Sequence, residues 1–396
     1  MVDLSIYMGT RIEVGVGISD NIGIEVKNYG CKKPIIITDK NLVKLGLVEK
    51  ICKSLDQNDI KYSIFDGISE NPHDIDIEKG ANFFKNEEGD IIIAIGGGSP
   101  IDAAKGISIK VTQPGKLRDY EIKKVMSFNE NKELIKDNVI PIIAIPTTAG
   151  SGSETSPYAV ITDTLRNYKM AVCSPFLYPK VALVDPLLMV SLPKSITAEG
   201  GMDALSHAIE AFISKPANPF GDAFAIESMK LINNNLITAV NNGDNISARE
   251  NMAIASIIGG IAATLSDCVA GHCMAESLGS VYNIAHGLAC GNVLPVILEY
   301  SLPVIKDKLL EISKAFNIYN NPTKDIDYYA KKTIDHIYNL ISESGLRRLK
   351  EVIKEEPDFE LLSKKSMENV SVPSNPKKIG HDDFYILFKK LFDNQQ

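Results

Sequence analysis

The sequence predicts a protein of two domains, an α/β domain with a parallel sheet (residues 1–190) followed by an all-helical domain (residues 191–396). Short apolar runs alternate with helical segments up to about residue 190. From Thr197 onward helical periodicity continues without a convincing strand. The length of 396 residues also exceeds the roughly 100–200 residues of an ordinary single domain.

Five apolar runs in the first half are predicted to form strands. They are PIIITD (34–39), KYSIFDG (61–67), DIIIAIGGG (90–98), VIPIIAIPTT (139–148) and KVALVDP (180–186). Segments with a helical pattern separate them, such as residues 40–55 and 75–86. Nearly continuous apolar strands that alternate with helices are typical of a parallel sheet covered on both faces.

The second half contains long segments with helical periodicity. Examples are FGDAFAIESMKLINNNLITAV (220–240), ISARENMAIASIIGGIAATL (246–265) and DDFYILFKKLF (382–392). The change of pattern falls between Pro186 and Pro193, which places the domain boundary there.

Composition argues against several classes of protein. The net charge of −8 does not favour nucleic-acid binding, which needs a concentrated basic surface. The longest weakly polar run, Ala253–Leu265, is shorter than the roughly 20 residues that span a bilayer. The N-terminus lacks a signal-peptide pattern, and the six cysteines show no CxxC spacing. We therefore expect a cytoplasmic protein with free thiols and no nucleic-acid or membrane partner.

The segment DIIIAIGGGSPIDAAKG (90–106) reads as a strand, a glycine triplet and a helix start. Ser99 suits the helix N-cap, with Asp102 as an acidic capping-box partner. Glycines 96–98 let backbone N–H groups approach an anion at a helix N-terminus, so a dinucleotide pyrophosphate fits. A tight turn without a ligand is the alternative, because Ile101 occupies the third glycine's place in the GxGxxG pattern.

Two further features lie at the ends of apolar runs. Asp39 can hydrogen-bond a ribose 2′-hydroxyl and repel a 2′-phosphate, although a helix N-cap is an equally good role for it. The hydroxyl-rich loop IPTTAGSGSETSPY (145–158) follows another predicted strand. Ligands of open α/β sheets gather at the carboxyl ends of strands, which favours a nucleotide here over a plain surface loop.

A metal site is predicted in the helical half. Asp203 and His207 are four residues apart, which places them on one face of a helix. His272 and His286 can supply two more ligands, and Gly279, Asn283 and Gly287 indicate that a second helix begins near His286. Three imidazoles and one carboxylate suit Fe²⁺, Zn²⁺ or Mn²⁺. For any one of these histidines alone, a packing or surface role is the alternative.

Taken together, these motifs resemble the iron-containing (group III) alcohol dehydrogenase family over essentially the whole chain. The matching motifs are TDKNL (38–42), Asn71–Pro72, GGGSPIDAAKG (96–106), IPTTAGSGSE (145–154), GMDALSHAIEAF (201–212), His272, NIAHG (283–287) and NPKK (375–378). The resemblance implies an N-terminal dinucleotide-binding domain and a C-terminal helical domain, the plan also found in dehydroquinate synthase-like enzymes. It implies hydride transfer between a nicotinamide cofactor and a small alcohol or aldehyde.

The resemblance also implies site residues. It assigns the metal to Asp203, His207, His272 and His286, with Fe²⁺ as the ion and Zn²⁺ or Mn²⁺ as alternatives. It assigns the cofactor to Asp39, Asn71, Gly97, Gly98, Ser99, Thr147, Thr148 and Lys169. The acid at position 39 resembles NAD-preferring members, and NADP is the alternative. A homo-oligomer, a dimer or larger, is expected because the family commonly forms one.

Glu276 is a departure from the family pattern. Many members have a histidine four residues after the third metal ligand, and this chain has a glutamate there. Glu276 can act as the proton relay, or tune the metal as an outer ligand. The third alternative is a structural role, with the proton passing through water and the cofactor ribose.

Two other functional classes compete with a dehydrogenase. A dehydroquinate synthase-like or glycerol dehydrogenase-like enzyme would keep the fold with NAD and a metal. The former needs basic residues for a phosphorylated substrate, and no such cluster surrounds the metal motifs in the sequence. The other alternative is a non-catalytic nucleotide- or metal-binding protein. The alcohol or aldehyde itself cannot be read from the sequence.

Overall fold

The computed structural model describes residues 6–123 and 134–393 of the chain. These residues form two compact units. The first contains the chain up to Thr148 together with Ser153–Val190, and the second contains Ala149–Gly152 together with the chain from Ser191 onward. The loop residues 149–152 thus pack with the helical unit although they lie far from it in sequence.

The first unit is an α/β unit, which confirms the predicted fold class. Its strands are β1 (Arg11–Val14), β2 (Pro34–Ile37), β3 (Ser63–Phe65), β4 (Ile91–Gly96), β5 (Ile142–Pro146), β6 (Tyr158–Asp163), β7 (Tyr168–Cys173) and β8 (Val181–Val184). Its described α-helices are α1 (Ile22–Asn28), α2 (Lys40–Lys44), α3 (Leu47–Gln57), α4 (Asp74–Asn86) and α5 (Gly98–Thr112).

Six of these strands form a parallel sheet in the order β1-β8-β5-β4-β2-β3. The five predicted strands are all present in it. Along β4, Ile92 and Ala94 pack into one apolar cluster, whereas Ile91, Ile93 and Ile95 pack into a second. Because successive side chains of a strand point to opposite faces, both faces of the sheet are buried, which explains the continuous apolar runs.

The sheet has a topological switch point between β2 and β4. The chain leaves β2 towards β3 on one side, and leaves β4 towards β5 on the other. The crevice outside the carboxyl ends of such strands is where open α/β sheets bind ligands. The loops after β2, β4 and β5 carry most of the residues predicted to bind the cofactor.

Three strands lay outside the sequence prediction. β1 pairs with β8 at the edge of the sheet, and its side chains are half-buried to exposed. β6 and β7 form an antiparallel hairpin in register from Tyr158 opposite Cys173 to Asp163 opposite Tyr168. The loop after β5 therefore ends in a hairpin that leads back towards β8.

The second unit is helical throughout its described residues from 191 to 393. Its α-helices are α6 (Lys194–Ile213), α7 (Pro219–Asn241), α8 (Ile246–Leu265), α9 (Ala270–Tyr282), α10 (His286–Ala315), α11 (Ile326–Glu343), α12 (Leu349–Val352), α13 (Phe359–Met367) and α14 (His381–Asp393). They share one large apolar core, to which α6, α9 and α10 contribute along most of their lengths. Fifteen of the 20 residues of α6 are buried, so this helix runs through the interior of the unit.

Within the described residues, α10 alone is long and apolar enough to cross a membrane as a single helix. Of its most apolar 18-residue window, 72% is buried inside the structure. A core helix satisfies the same length and composition criteria, and α10 is packed as one.

Candidate metal centre and cofactor-binding loops

Helix α6 carries the first two predicted metal ligands. Asp203 and His207 lie one turn apart, and Asp203 is only 5% exposed. Nδ1 of His207 lies 3.0 Å from the backbone carbonyl oxygen of Asp203. Because a carbonyl oxygen only accepts, Nδ1 must donate this bond, and the Nε2 lone pair of His207 is left for a metal.

Helices α9 and α10 bring in His272 and His286. Asn283 adopts the left-handed conformation (φ 51°) at the end of α9, and α10 then begins at His286. The predicted break between two helices is confirmed. Gly287 lets α10 approach α6, since a Cβ at position 287 would lie 2.2 Å from the carbonyl oxygen of Glu199.

The four predicted ligands lie close together. One donor atom from each of Asp203, His207, His272 and His286 lies within 4.8 Å of the others. Oδ1 of Asp203 is 3.7 Å from Nδ1 of His207 and 3.6 Å from Nε2 of His286. The His272 ring centroid is 4.5 Å from that of His207 and 5.4 Å from that of His286.

The polar atoms of this cluster fit a cation. Among the described residues, Oδ1 of Asp203 and Nε2 of His272 are buried without a hydrogen bond. Buried polar atoms are normally paired, so such atoms facing each other indicate a missing ligand. Burial alone would raise the pKa of Asp203, but the surrounding imidazoles, His207 first, hold it below its ordinary value. Burial lowers the pKa of His207, which favours its neutral, ligating form.

A buried carboxylate on α6 lay outside the sequence prediction. Glu210 is fully buried, and its Oε1 lies 3.0 Å from Nδ1 of His272. Its Oε2 accepts from the backbone N–H groups of Val269 (2.7 Å) and His272 (3.2 Å) at the start of α9. Its spacing of seven residues from Asp203 is a signal for the same helix face, but that spacing does not reveal its contact with His272.

Glu276 lies one turn after His272 on α9. Its Oε2 accepts a hydrogen bond of 2.6 Å from Nδ2 of Asn369. Its side chain is half-buried. The structure thus places Glu276 on the helix that carries His272, and supplies a neighbour that orients its carboxylate.

The six cysteines are free thiols in the described residues. Cys290 lies one turn after His286, and its Sγ is 3.5 Å from Nε2 of that ring. Cys268 offers a donor atom within 4.8 Å of those of Glu210 and His272. Burial raises the pKa of both thiols to about 12, so they are protonated at neutral pH in the absence of a cation.

The glycine-rich loop follows β4, as predicted, but its helix is capped differently. Helix α5 begins at Gly98 with Gly97 at the N-cap and without a side-chain cap, so the assignment of Ser99 to the N-cap is wrong. The Ser99 hydroxyl instead donates to the carbonyl oxygen of Glu70. Gly96 has φ +150°, and a Cβ there would lie 2.5 Å from Cγ of Pro100. The tight glycine turn itself sets the start of α5.

Asp102 is not a capping-box partner either. Its carboxylate accepts from Ser153 Oγ and, at 3.0 Å, from the backbone N–H of Val160. The fully buried Lys105 donates to Ser153 Oγ (2.7 Å) and to the carbonyl oxygen of Tyr158 (2.6 Å). Asp102 and Lys105 therefore hold the loop after β5 against α5.

Three other predicted cofactor residues lie after β2, after β3 and within β7. Asp39 is the N-cap of α2, and its Oδ1 accepts from the N–H groups of Asn41 (2.8 Å) and Leu42 (3.1 Å). Lys169 donates a 2.8 Å bond to Asn71, and both side chains are buried.

Thr147 and Thr148 follow β5 directly. Thr147 is bonded through its backbone N–H to the carbonyl oxygen of Gly96. A Cβ at Gly97 would lie 3.0 Å from Oγ1 of Thr148. The two loops therefore touch where β4 and β5 end.

Comparison with known proteins identifies the family of the chain. The family model described as iron-containing alcohol dehydrogenase matches residues 9–186. The model described as the C-terminal part of the Fe-containing alcohol dehydrogenase family matches residues 197–392. The chain belongs to the iron-containing alcohol dehydrogenase family.

Similar members of the family act on small alcohols. The chain is 36% identical over 376 residues to 1,3-propanediol dehydrogenase of Klebsiella pneumoniae, covering 94% of each chain. It is 36% identical over 379 residues to NAD-dependent methanol dehydrogenase of Bacillus methanolicus, covering 95% of this chain and 96% of the relative. A crystal structure of 1,3-propanediol oxidoreductase superposes with a TM-score of 0.91 at 34% identity, covering 98% and 100% of the two chains.

The predicted enzyme class is confirmed by these matches. This iron-containing alcohol dehydrogenase family member is an oxidoreductase that acts on CH–OH groups of small molecules. The family is named for its metal, and NAD-dependent relatives support a nicotinamide cofactor.

Proposed function

We propose that this protein is an NAD-dependent alcohol dehydrogenase and aldehyde reductase that holds one Fe²⁺ ion on Asp203, His207, His272 and His286. The observation that supports this most strongly is the buried cluster of one carboxylate and three imidazoles, whose donor atoms lie within 4.8 Å. Zn²⁺ or Mn²⁺ would also suit these donors. A divalent cation bound there supplies Lewis-acid chemistry, which acidifies an alcohol and polarises a carbonyl.

The chain's own residues prepare the metal site. Asp203 contributes a negative charge in a buried setting, which reduces the cost of placing a cation there. The bond from His207 Nδ1 to the backbone orients the ring and fixes its tautomer, so that Nε2 keeps a lone pair for a metal. The short link between α9 and α10 holds His272 and His286 on separate helices, so the site forms only in the folded unit.

The cofactor is proposed to bind at the switch point of the sheet. Gly97 and Gly98 let backbone N–H groups at the start of α5 approach the pyrophosphate. Both cap bonds of Asp39 use Oδ1, and we assign Oδ2 to the ribose 2′-hydroxyl, a role that favours NAD over NADP. Ser99, Thr147, Thr148, Asn71 and Lys169 complete the proposed set. The nicotinamide supplies hydride transfer.

We propose that Glu276 accepts or donates the proton that the reaction transfers. A carboxylate one turn after His272, half-buried and bonded to Asn369, is oriented and can take up or release a proton. The pH–rate profile of wild type should differ from those of Glu276→Gln and Glu276→His. Identical profiles in all three would remove this role.

The substrate is proposed to be a small primary alcohol or diol and the corresponding aldehyde. Relatives named for 1,3-propanediol, methanol and lactaldehyde support this range.

We also propose a cytoplasmic location. The protein is proposed to form a homodimer or a larger homo-oligomer, and sedimentation analysis would measure its oligomeric state.

The test uses chelator-treated protein reloaded anaerobically with Fe²⁺, Zn²⁺ or Mn²⁺. Oxidation of NADH and of NADPH is followed at 340 nm with aldehydes of two to four carbons. We expect activity with NADH that depends on the added metal. Asp203→Ala should lose both bound metal and turnover, whereas the exposed carboxylate variant Glu227→Ala should keep both.

Two results would contradict the proposal. Full activity of metal-free protein or of Asp203→Ala would exclude the proposed ion. Binding of metal and NADH without reduction of any aldehyde would favour a non-catalytic binding protein.

A further inference from the structure

Glu210 carries out two structural tasks with its two carboxylate oxygens. Oε2 accepts the backbone N–H groups of Val269 and His272, and thereby satisfies donors at the first turn of α9. Oε1 faces Nδ1 of His272 at 3.0 Å. A third contact, from the N–H of Ala270 to Asn375, also ties down the start of this helix.

The neighbouring glycine leaves room for this arrangement. A Cβ at Gly271 would lie 2.2 Å from Oε1 and 2.9 Å from Cδ of Glu210. Real Cβ atoms essentially never come so close to another heavy atom, so Glu210 can occupy its position only because residue 271 is glycine. The close contact therefore depends on both helices, because α6 supplies Glu210 and α9 supplies the glycine at position 271.

Neither Oε1 of Glu210 nor Nδ1 of His272 has a hydrogen-bond partner in the described part of the chain. The two atoms are 3.0 Å apart, which is hydrogen-bond distance, and both side chains are buried. Such bonds in proteins without their ligand are often poorly aligned and tighten when the ligand binds.

We infer that Glu210 is a positioning residue, which holds the proton of His272 on Nδ1 and so directs the Nε2 lone pair into the metal centre. This rests on the proposed function of the four-ligand site. Histidines that bind metals commonly donate their other N–H to a carboxylate, which fixes the tautomer and raises the basicity of the ring. Here the same carboxylate also fixes the start of the helix that carries the ring.

The variant Glu210→Gln separates the two tasks. Two backbone N–H groups require an acceptor, so the amide oxygen of the substituted side chain should stay at the helix start. The amide NH₂ then faces Nδ1, and the ring must accept there and carry its proton on Nε2. The helix remains capped, but the lone pair points away from the metal.

The experiment measures metal affinity rather than turnover. Metal-free wild type, Glu210→Gln and the control Glu227→Gln are titrated with Co²⁺ against a chelator, and the melting temperature of each metal-free protein is recorded. Glu227 is a matched control because it undergoes the same chemical change at an exposed carboxylate paired with Lys230. We expect Glu210→Gln to bind Co²⁺ roughly 10–100-fold more weakly, with an unchanged melting temperature without metal. Glu227→Gln should bind as wild type does.

A double-mutant cycle checks the geometry independently. Gly271→Ala should weaken Co²⁺ binding in wild type, since the new Cβ displaces Oε1. In the Glu210→Ala background, where no carboxylate is displaced, the same change should have almost no further effect on affinity. Equal losses in both backgrounds would overturn the inference.

The outcomes distinguish this inference from the proposed function. If Asp203→Ala keeps its metal, the proposed site itself is wrong. If Asp203→Ala loses metal while Glu210→Gln binds Co²⁺ like wild type, only the role of Glu210 is wrong. An equal loss in Glu210→Gln and Glu227→Gln would also refute it, because the loss would then not depend on the carboxylate beside His272.

Discussion

Gly287 gives a quantitative test of how closely α10 must approach α6. In Gly287→Ala the new Cβ would lie 2.2 Å from the carbonyl oxygen of Glu199, whereas real Cβ atoms stay beyond 3.0 Å. The two helices must therefore separate by at least 0.8 Å, the difference between these distances. Metal–ligand distances tolerate only about ±0.2 Å, and His286 is the adjacent residue. The expected loss of Co²⁺ affinity is at least tenfold, about 1.4 kcal/mol.

The effect on stability is smaller, because two terms oppose each other. Overpacking costs about 1–3 kcal/mol, and replacing a helical glycine by alanine returns about 1 kcal/mol. Urea unfolding of the metal-free protein should therefore show a loss of about 0–2 kcal/mol. Gly80→Ala in α4 is the matched control, since its Cβ would lie 2.4 Å from Cδ1 of Ile107 and the contacts given for it include no residue of the metal centre. Unchanged Co²⁺ affinity in Gly287→Ala, or an equal loss in Gly80→Ala, would refute the reasoning.

Three other predictions follow from the first unit. Burial raises the pKa of Glu154 from 4.5 to about 7, so the stability it contributes at low pH is lost as pH rises from 4.5 to 7. In urea unfolding, the free energy of unfolding of Glu154→Gln relative to wild type should rise by up to about 3 kcal/mol between pH 5 and pH 8. The same dependence of this free energy on pH in both proteins would contradict the prediction. Asp39→Asn keeps the cap of α2 but removes the negative charge. The ratio of kcat/KM for NADPH to kcat/KM for NADH should therefore rise while the Tm stays unchanged. An unchanged ratio would show that Asp39 does not select NAD over NADP. Gly96→Ala forces a side chain to φ +150°, which should cost about 1–3 kcal/mol in urea unfolding, and full stability would show that the turn can relax.

Much of the fold was predictable because its strongest signals are local. A strand buried on both faces, such as Ile91–Gly96, must be apolar throughout, and the long helices repeat with their own period. β1 escaped prediction because it lies at the sheet edge, where half-exposed residues lack that signal. Hairpin β6–β7 escaped because its six-residue strands follow a polar loop and pair mainly with each other, outside the six-stranded sheet.

The four side chains proposed to bind the metal could be selected from the sequence, whereas the residues that contact and orient them could not. The spacing of four residues shows in the sequence that Asp203 and His207 share a helix face. Glu210 contacts His272, which is 62 residues away in the sequence, and no local pattern indicates that contact. The caps show the same limit. Asp39 caps its helix as one of its two predicted roles, but Ser99 was misplaced because a glycine turn moved the start of α5 to Gly98. Tertiary packing decides such positions, and a single sequence does not display it.

The four loop residues 149–152 set a rule for building chimeras from members of this family. A Cβ at Gly152 would lie 2.7 Å from Cα of Gly260, and one at Gly150 would lie 2.9 Å from Cα of Gly200. These are contacts of backbone against backbone within the helical unit, so they tolerate no side chain on either partner. A crossover placed at residue 190 would take the helices from one parent and this loop from the other. A design that moves 149–152 together with 191–396 keeps both pairs of glycines from the same parent.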